Sequence, residues 1–252
     1  MTCYQLHTKQ QPQQIYVTLQ ASRPSIIKLI AYDASQENSV YQRINLGHTK
    51  EKFQGKKTVS IKLPIAPEDL EITIHSKHAS VLNIEQAPLD ETEEMALLPP
   101  SLASFIEFAA SFCRNASVLK TNRRYSNGAF TIDHLDKLID EQSGKLISSP
   151  ARIEKATGKI ETNASIISKY TIPVLMFILL HEISHVFLET SDEFAADELA
   201  IYVYNGLGFP EIEAMYAFTK VFTDENQEQK RRKERLFQRM MRRKATDYRS
   251  MV

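Results

Sequence analysis

Residues 171–185 read TIPVLMFILLHEISH, an apolar run that ends in two histidines and a glutamate. Thr171 is a capping residue type and Pro173 suits a first helical turn, so a helix is expected to begin here. Val174, Leu175, Phe177, Ile178, Leu179 and Ile183 spread apolar surface around most of its circumference, the pattern of a buried helix. His181, Glu182 and His185 stand near its end. Their spacing puts two imidazoles one turn apart on one face, with a carboxylate beside them. Unsatisfied polar groups at a buried helix end cost about 1–3 kcal/mol each. A metal satisfies them together. Two nitrogen ligands, an open coordination position and a general base for water are what a catalytic zinc needs.

The next stretch, DEFAADELA at residues 192–200, predicts a second helix with Glu193 and Asp197 on one face. Zinc held by two histidines wants a third protein ligand, and a carboxylate serves. A second carboxylate can accept the free N–H of a ligand imidazole and fix its tautomer. HExxH followed by this E-F-x-A-D pattern resembles the gluzincin metallopeptidases. That resemblance implies His181, His185 and Glu193 as zinc ligands, Glu182 as the catalytic base and Asp197 as support behind the ligands. Seven residues separate His185 from Glu193, a short spacing that suits a compact helix-turn-helix. Glu193 also has a competing role. Thr190 and Glu193 have capping-box spacing, and Asp192 favours a helix N-terminus, so Asp192 or Asp197 is the substitute ligand if Glu193 caps. Tyr202, Tyr204 and Tyr216 are conceivable oxyanion donors, with a structural role the simpler one for each.

Composition fits a soluble, cytoplasmic protein. Lys plus Arg and Asp plus Glu both number 31, and hydrophobic residues make up 42%, ordinary for a globular chain. Cys3 and Cys113 form no spacing pattern, which suggests a reducing compartment rather than a disulfide framework. The first residues lack the apolar core of a signal peptide. The apolar run at 172–180 is shorter than the roughly 20 residues a bilayer span requires.

The expected fold class is α+β: an N-terminal antiparallel β-sandwich, then a mainly helical zincin-like domain with a small sheet. Residues 1–90 form the first unit, a binding or assembly domain. Ile15, Val17 and Leu19 alternate with polar neighbours, and similar runs occur at 25–32, 40–46, 58–65, 70–75 and 81–84. Residues 87–100 read as an acidic, proline-terminated linker. The second unit spans 91–224. Ser101 is expected to cap a helix with Leu102, Phe105, Ile106, Ala109, Phe112 and Cys113 on its core face. Residues 121–128 read as a polar loop, Phe130, Ile132 and Leu135 suggest a strand, with Asp133–Asp140 equally open to a helix, and Gly158 marks a hairpin turn.

Residues 225–252 form a basic tail, expected to be helical. Within it 230–244, KRRKERLFQRMMRRK, carry nine basic residues and one acid. Such a segment suits contact with nucleic acid or an acidic protein surface. Two functions are therefore in view. One is a zinc metallopeptidase acting on protein or peptide substrates. The other comes from a resemblance of residues 171–222 to zincin-like proteins of phages and mobile elements. It implies a structural component of a virion, of a homo-oligomer or of another multimeric particle, whose zincin fold has no essential catalysis.

Overall fold

The computed structural model describes residues 1–89, 98–140, 143–221, 230–235 and 237–238. The acidic part of the expected linker, residues 90–97, and most of the basic tail lie outside them. Seven strands come first: β1 (Thr2–His7), β2 (Gln13–Ser25), β3 (Ile27–Asp33), β4 (Gln36–Leu46), β5 (Phe53–Leu63), β6 (Asp69–His75) and β7 (Ala79–Pro88). They form two wholly antiparallel sheets, ordered β1-β6-β3-β4 and β5-β2-β7. The period-2 pattern works as expected. Ile15, Val17, Leu19 and Ala21 on β2, Leu29 and Ala31 on β3, and Leu70 and Ile72 on β6 are all buried in one hydrophobic cluster.

β1 is an addition to the expected strands. It pairs with β6, Leu6 opposite Leu70, yet none of its side chains is fully buried. Backbone hydrogen bonds at a sheet edge hold it there while Tyr4 and Leu6 lean against the core, an alternation of only two apolar residues. Gly47 closes β4 toward β5 at a φ of +77°, and a Cβ there would sit 2.6 Å from the Phe53 nitrogen. Only glycine fits that position.

The remainder is helical around a small sheet. Helix α1 (Pro100–Asn115) buries the six residues expected of its core face. Its N-cap is Pro99, without a side-chain cap, so Ser101 lies inside the helix and does not cap it. Fixed φ at Pro99 and Pro100 starts the helix instead. Strands β8 (Arg123–Ser126), β9 (Thr131–Leu135), β10 (Leu138–Ile139), β11 (Leu146–Ile147), β12 (Ala151–Glu154) and β13 (Lys159–Asn163) come next. The sheet runs β12-β13-β9-β8, with β13 and β9 parallel and the other pairs antiparallel. β8 occupies part of the stretch read as a polar loop. It is a short, mostly exposed strand held by pairing with β9, and polar composition hid it.

A short α2 (Ala164–Ile167) leads to α3 (Ile172–Phe187), then α4 (Glu193–Gly206) and α5 (Glu211–Tyr216), which continues as a π-helix over Ala217–Val221. Thr171 accepts a bond from the Val174 nitrogen at the start of α3, and every residue from Ile172 to His185 is buried. Phe177 lies edge-on to Tyr204 at 5.5 Å and tilted against Phe218 at 5.2 Å. Contacts with β4, α1, α4, α5 and β12 surround the helix. It is therefore the axis on which both parts of the chain pack, and no face is left for solvent. Glu213 on α5 ties this packing together: buried, it accepts from the Thr171 hydroxyl at 2.7 Å and lies near Arg43 of β4. No helix among the described residues is long and apolar enough to cross a membrane.

His134 on β9 gives this packing a pH signature. It is 2% exposed, its Nδ1 lies 2.9 Å from the Thr162 hydroxyl, and Phe112 approaches edge-on at 5.5 Å. Burial lowers its pKa from the ordinary histidine value. The folded state thus resists a proton that the unfolded chain accepts, so its contribution is present above about pH 6.5 and lost as pH falls. We expect His134→Gln to show a smaller drop in urea midpoint between pH 7.5 and pH 5 than the parent chain.

Candidate metal centre

Helix α3 carries His181, Glu182 and His185 into the interior at its C-terminal end, and the two imidazole rings lie 5.0 Å apart at 87°. The chain then reverses within a short turn. Leu188 caps α3, Glu189 adopts a left-handed φ of 48°, and the Thr190 nitrogen bonds the His185 carbonyl at 3.0 Å. Asp192 caps α4, its carboxylate accepting from the Phe194 nitrogen at 2.9 Å. Thr190 accepts from the Asp192 nitrogen at 3.0 Å. Of the two roles open to Glu193, capping is thus taken by Asp192, and the Glu193 carboxylate turns to the histidines.

Its oxygens lie 3.3 Å from His181 Nε2 and 3.5 Å from His185 Nε2. One ligand atom from each of His181, His185 and Glu193 falls within 4.8 Å of the others. The outer nitrogens are committed elsewhere. His181 Nδ1 is 2.9 Å from the Asp197 carboxylate, and His185 Nδ1 is 3.1 Å from the Thr190 carbonyl. Both carbonyl and carboxylate accept, so each Nδ1 carries a proton, which leaves each Nε2 as the atom that would give its lone pair to a metal.

This group can hold a metal ion. A tetrahedral ion about 2.0–2.1 Å from each ligand leaves the ligands roughly 3.3 Å apart; His181 Nε2 lies 3.3 Å from Glu193 Oε2 and His185 Nε2 lies 3.5 Å from Oε1, so the two imidazoles face different oxygens of one carboxylate at about that spacing. Two imidazoles and a carboxylate suit zinc and its neighbours in the first transition row. Without a metal, the residues compensate one another. Burial opposes protonation of His181, but the carboxylates of Asp197 and Glu193 outweigh it and lift the pKa to about 9. Glu193 is held low by its bond to His181, against the penalty of burial. His185 is pushed down by burial and by the charge of His181.

Glu182 differs from the group of three. It is 8% exposed, and burial raises its pKa while the His181 charge and a bond from the Ile153 backbone lower it. Ile153 belongs to β12, whose described partner is β13 on one side. The carboxylate therefore sits against the outer edge of the small sheet, beside the metal group.

One member of the site is not among the expected residues. Arg232, from a helical segment at residues 230–235, is 4% exposed and reaches two of the carboxylates of α4, Glu193 and Asp197. Its Nε and Nη2 donate to Asp197 at 2.6 and 2.7 Å, and Nη1 lies 2.9 Å from Glu193. Arg235 joins it, 3.1 Å from Glu198 and 5.3 Å above the Phe194 ring. The acidic surface that these two tail residues meet thus belongs to the same chain. No sequence pattern points to it; the need for it arises only in the fold. Glu182, Glu193 and Asp197 converge, and converging carboxylates need cations. Two of the three tyrosines conceivable as oxyanion donors have other partners: the Tyr204 hydroxyl donates to the Pro210 carbonyl, and Tyr216 packs against Tyr170.

Purified chain dialysed against zinc should retain about one equivalent, and His181→Ala or His185→Ala should lose it, as measured by plasma mass spectrometry. Zinc at 100 times its Kd should add about 2.7 kcal/mol to unfolding of the parent and nothing to either variant.

Comparison with protein-family models, with curated proteins and with solved structures returns no match to this chain.

Proposed function

We propose that this chain is a zinc-dependent metallopeptidase-like protein, with His181, His185 and Glu193 as ligands, Asp197 behind His181, and Glu182 as general base. One observation carries the reading: two buried histidines and a half-buried glutamate lie beside a separate buried carboxylate at the edge of a sheet. A purely structural site needs ligands and has no use for Glu182. In the same reading the two N-terminal sheets form a sandwich, and the region from α1 onward forms a zincin-like domain.

Zinc, when bound, supplies Lewis acidity toward water and a peptide carbonyl. Glu182 takes a proton from the attacking water and returns it to the leaving amide nitrogen. Nδ1 bonds to Asp197 and Thr190 keep both imidazoles in the tautomer that ligation requires. β12 offers an edge to which an extended peptide adds as a further strand, its scissile bond passing Glu182.

The alternative is an assembly component, of a virion or another multimeric particle, with a structural metal. It is favoured by the depth of the site, where both histidines are almost fully covered and Glu193 is also bonded to Arg232. Exposed Lys230 and Arg231 leave the tail charge for an acidic partner in either case.

Glu182→Gln decides between the two. We expect the zinc-loaded parent to cleave a fluorogenic peptide library, and the variant to cleave it about 10²–10⁴-fold more slowly with unchanged zinc content. Equal rates in parent and variant, or a zinc-loaded parent without activity, would favour the assembly reading.

A further inference from the structure

We infer that Arg232 is a positioning residue for the metal ligands, which makes the helical segment at residues 230–235 an integral part of the centre. The inference rests on the metal reading above and concerns a residue that lies 35 positions from Asp197 in the chain. The guanidinium holds Asp197 with two nitrogens and Glu193 with the third. It is buried, and its Cζ lies 6.0 Å from the centre of the Phe218 ring, so its orientation is set by packing as well as by charge.

Glu193 begins α4, its side chain is 36% exposed, and a glutamate so placed has several rotamers open to it. The bond from Nη1 to Oε2 selects the one that faces the histidines. Asp197 Oδ1 accepts from Arg232 at 2.7 Å and lies 2.9 Å from His181 Nδ1, so the same guanidinium aims the carboxylate that aims His181. One planar fork thus orders two of the three ligands, one directly and one through Asp197. A lysine in its place is a point charge and cannot span two carboxylates. A competing effect opposes this. The arginine charge repels a divalent cation and shares an oxygen of Glu193 with it. A carboxylate has about four lone-pair sites, so accepting one N–H leaves others for the metal. We expect ordering to prevail. By linkage, metal binding then favours the docked tail as much as the docked tail favours metal.

The test measures zinc affinity of the full chain by competition with a chromophoric chelator. Arg232→Ala should weaken zinc binding about 10–100-fold. Arg232→Lys should recover little of that loss, and Arg235→Ala, which removes the neighbouring surface pair, should bind as the parent does. The visible absorption bands of the cobalt-substituted chain should change in Arg232→Ala and not in Arg235→Ala. Saturating zinc should also slow tryptic cleavage within residues 230–235. If Arg232→Ala does not fold, Arg232→Gln, which keeps one donor and most of the volume, serves with the same expected loss of at least about tenfold. Unchanged or tighter zinc binding in Arg232→Ala overturns the inference, as does an equal loss in Arg235→Ala. A parent chain that takes up no zinc overturns the metal reading itself, a result distinguishable from the others because no variant is needed to see it.

Discussion

Helix α3 brings two imidazoles and a carboxylate into the interior, and those groups must find partners there. An unpaired polar group so placed costs about 1–3 kcal/mol, and a helix buried along its length cannot turn them to solvent. Every nearby feature answers that constraint. The tight reversal after Leu188 returns the chain at once, so that α4 begins beside the histidines. Asp197 and the Thr190 carbonyl then accept from the two Nδ1 atoms, and Ile153 of β12 donates to Glu182.

Satisfying the imidazoles brings its own demand, because Glu193 and Asp197 add negative charge to a buried place. Arg232 answers it from the far end of the chain. The result is a closed set of interactions: histidine to carboxylate to arginine, with three inner ligand atoms left facing one another. Buried charges arranged in this way specify geometry more than they stabilise it, since desolvation offsets much of the attraction.

The N-terminal sheets contribute at one remove. β4 packs on α3, and Glu213 binds Thr171 at the helix start while lying near Arg43 of β4. The start of α3 is thus held by both parts of the chain and its end by the metal group. The helix is fixed at both ends, as a site requires if its ligands are to keep their places without an ion.

Local patterns are legible in the sequence wherever one residue type or one period suffices. Alternation marks β2, β3 and β6; a 3.6-residue stripe marks α1; Thr171, Pro173 and the apolar run mark α3; and HEISH with Glu193 and Asp197 marks the group that comes together. What the sequence hides is too short or too polar for a period to stand out. β1 and β8 are short edge strands held by backbone pairing and a few half-buried side chains (Tyr4 and Leu6 on β1, Tyr125 on β8), and the start of α1 depends on proline dihedrals rather than on the Ser101 hydroxyl. The choice between capping and facing the histidines is open for Glu193 in the sequence because both roles fit one spacing, and only the path of the reversal assigns the cap to Asp192. Arg232 is invisible for a deeper reason. A run of like charges reads as a contact surface for nucleic acid or an acidic protein, and no one-dimensional pattern records that its third residue meets two carboxylates of the same chain more than thirty positions away. Sequence alone determined which groups are chemically able to form the centre; tertiary structure decided which of them do, because burial and charge neutralisation act between residues that only folding makes neighbours.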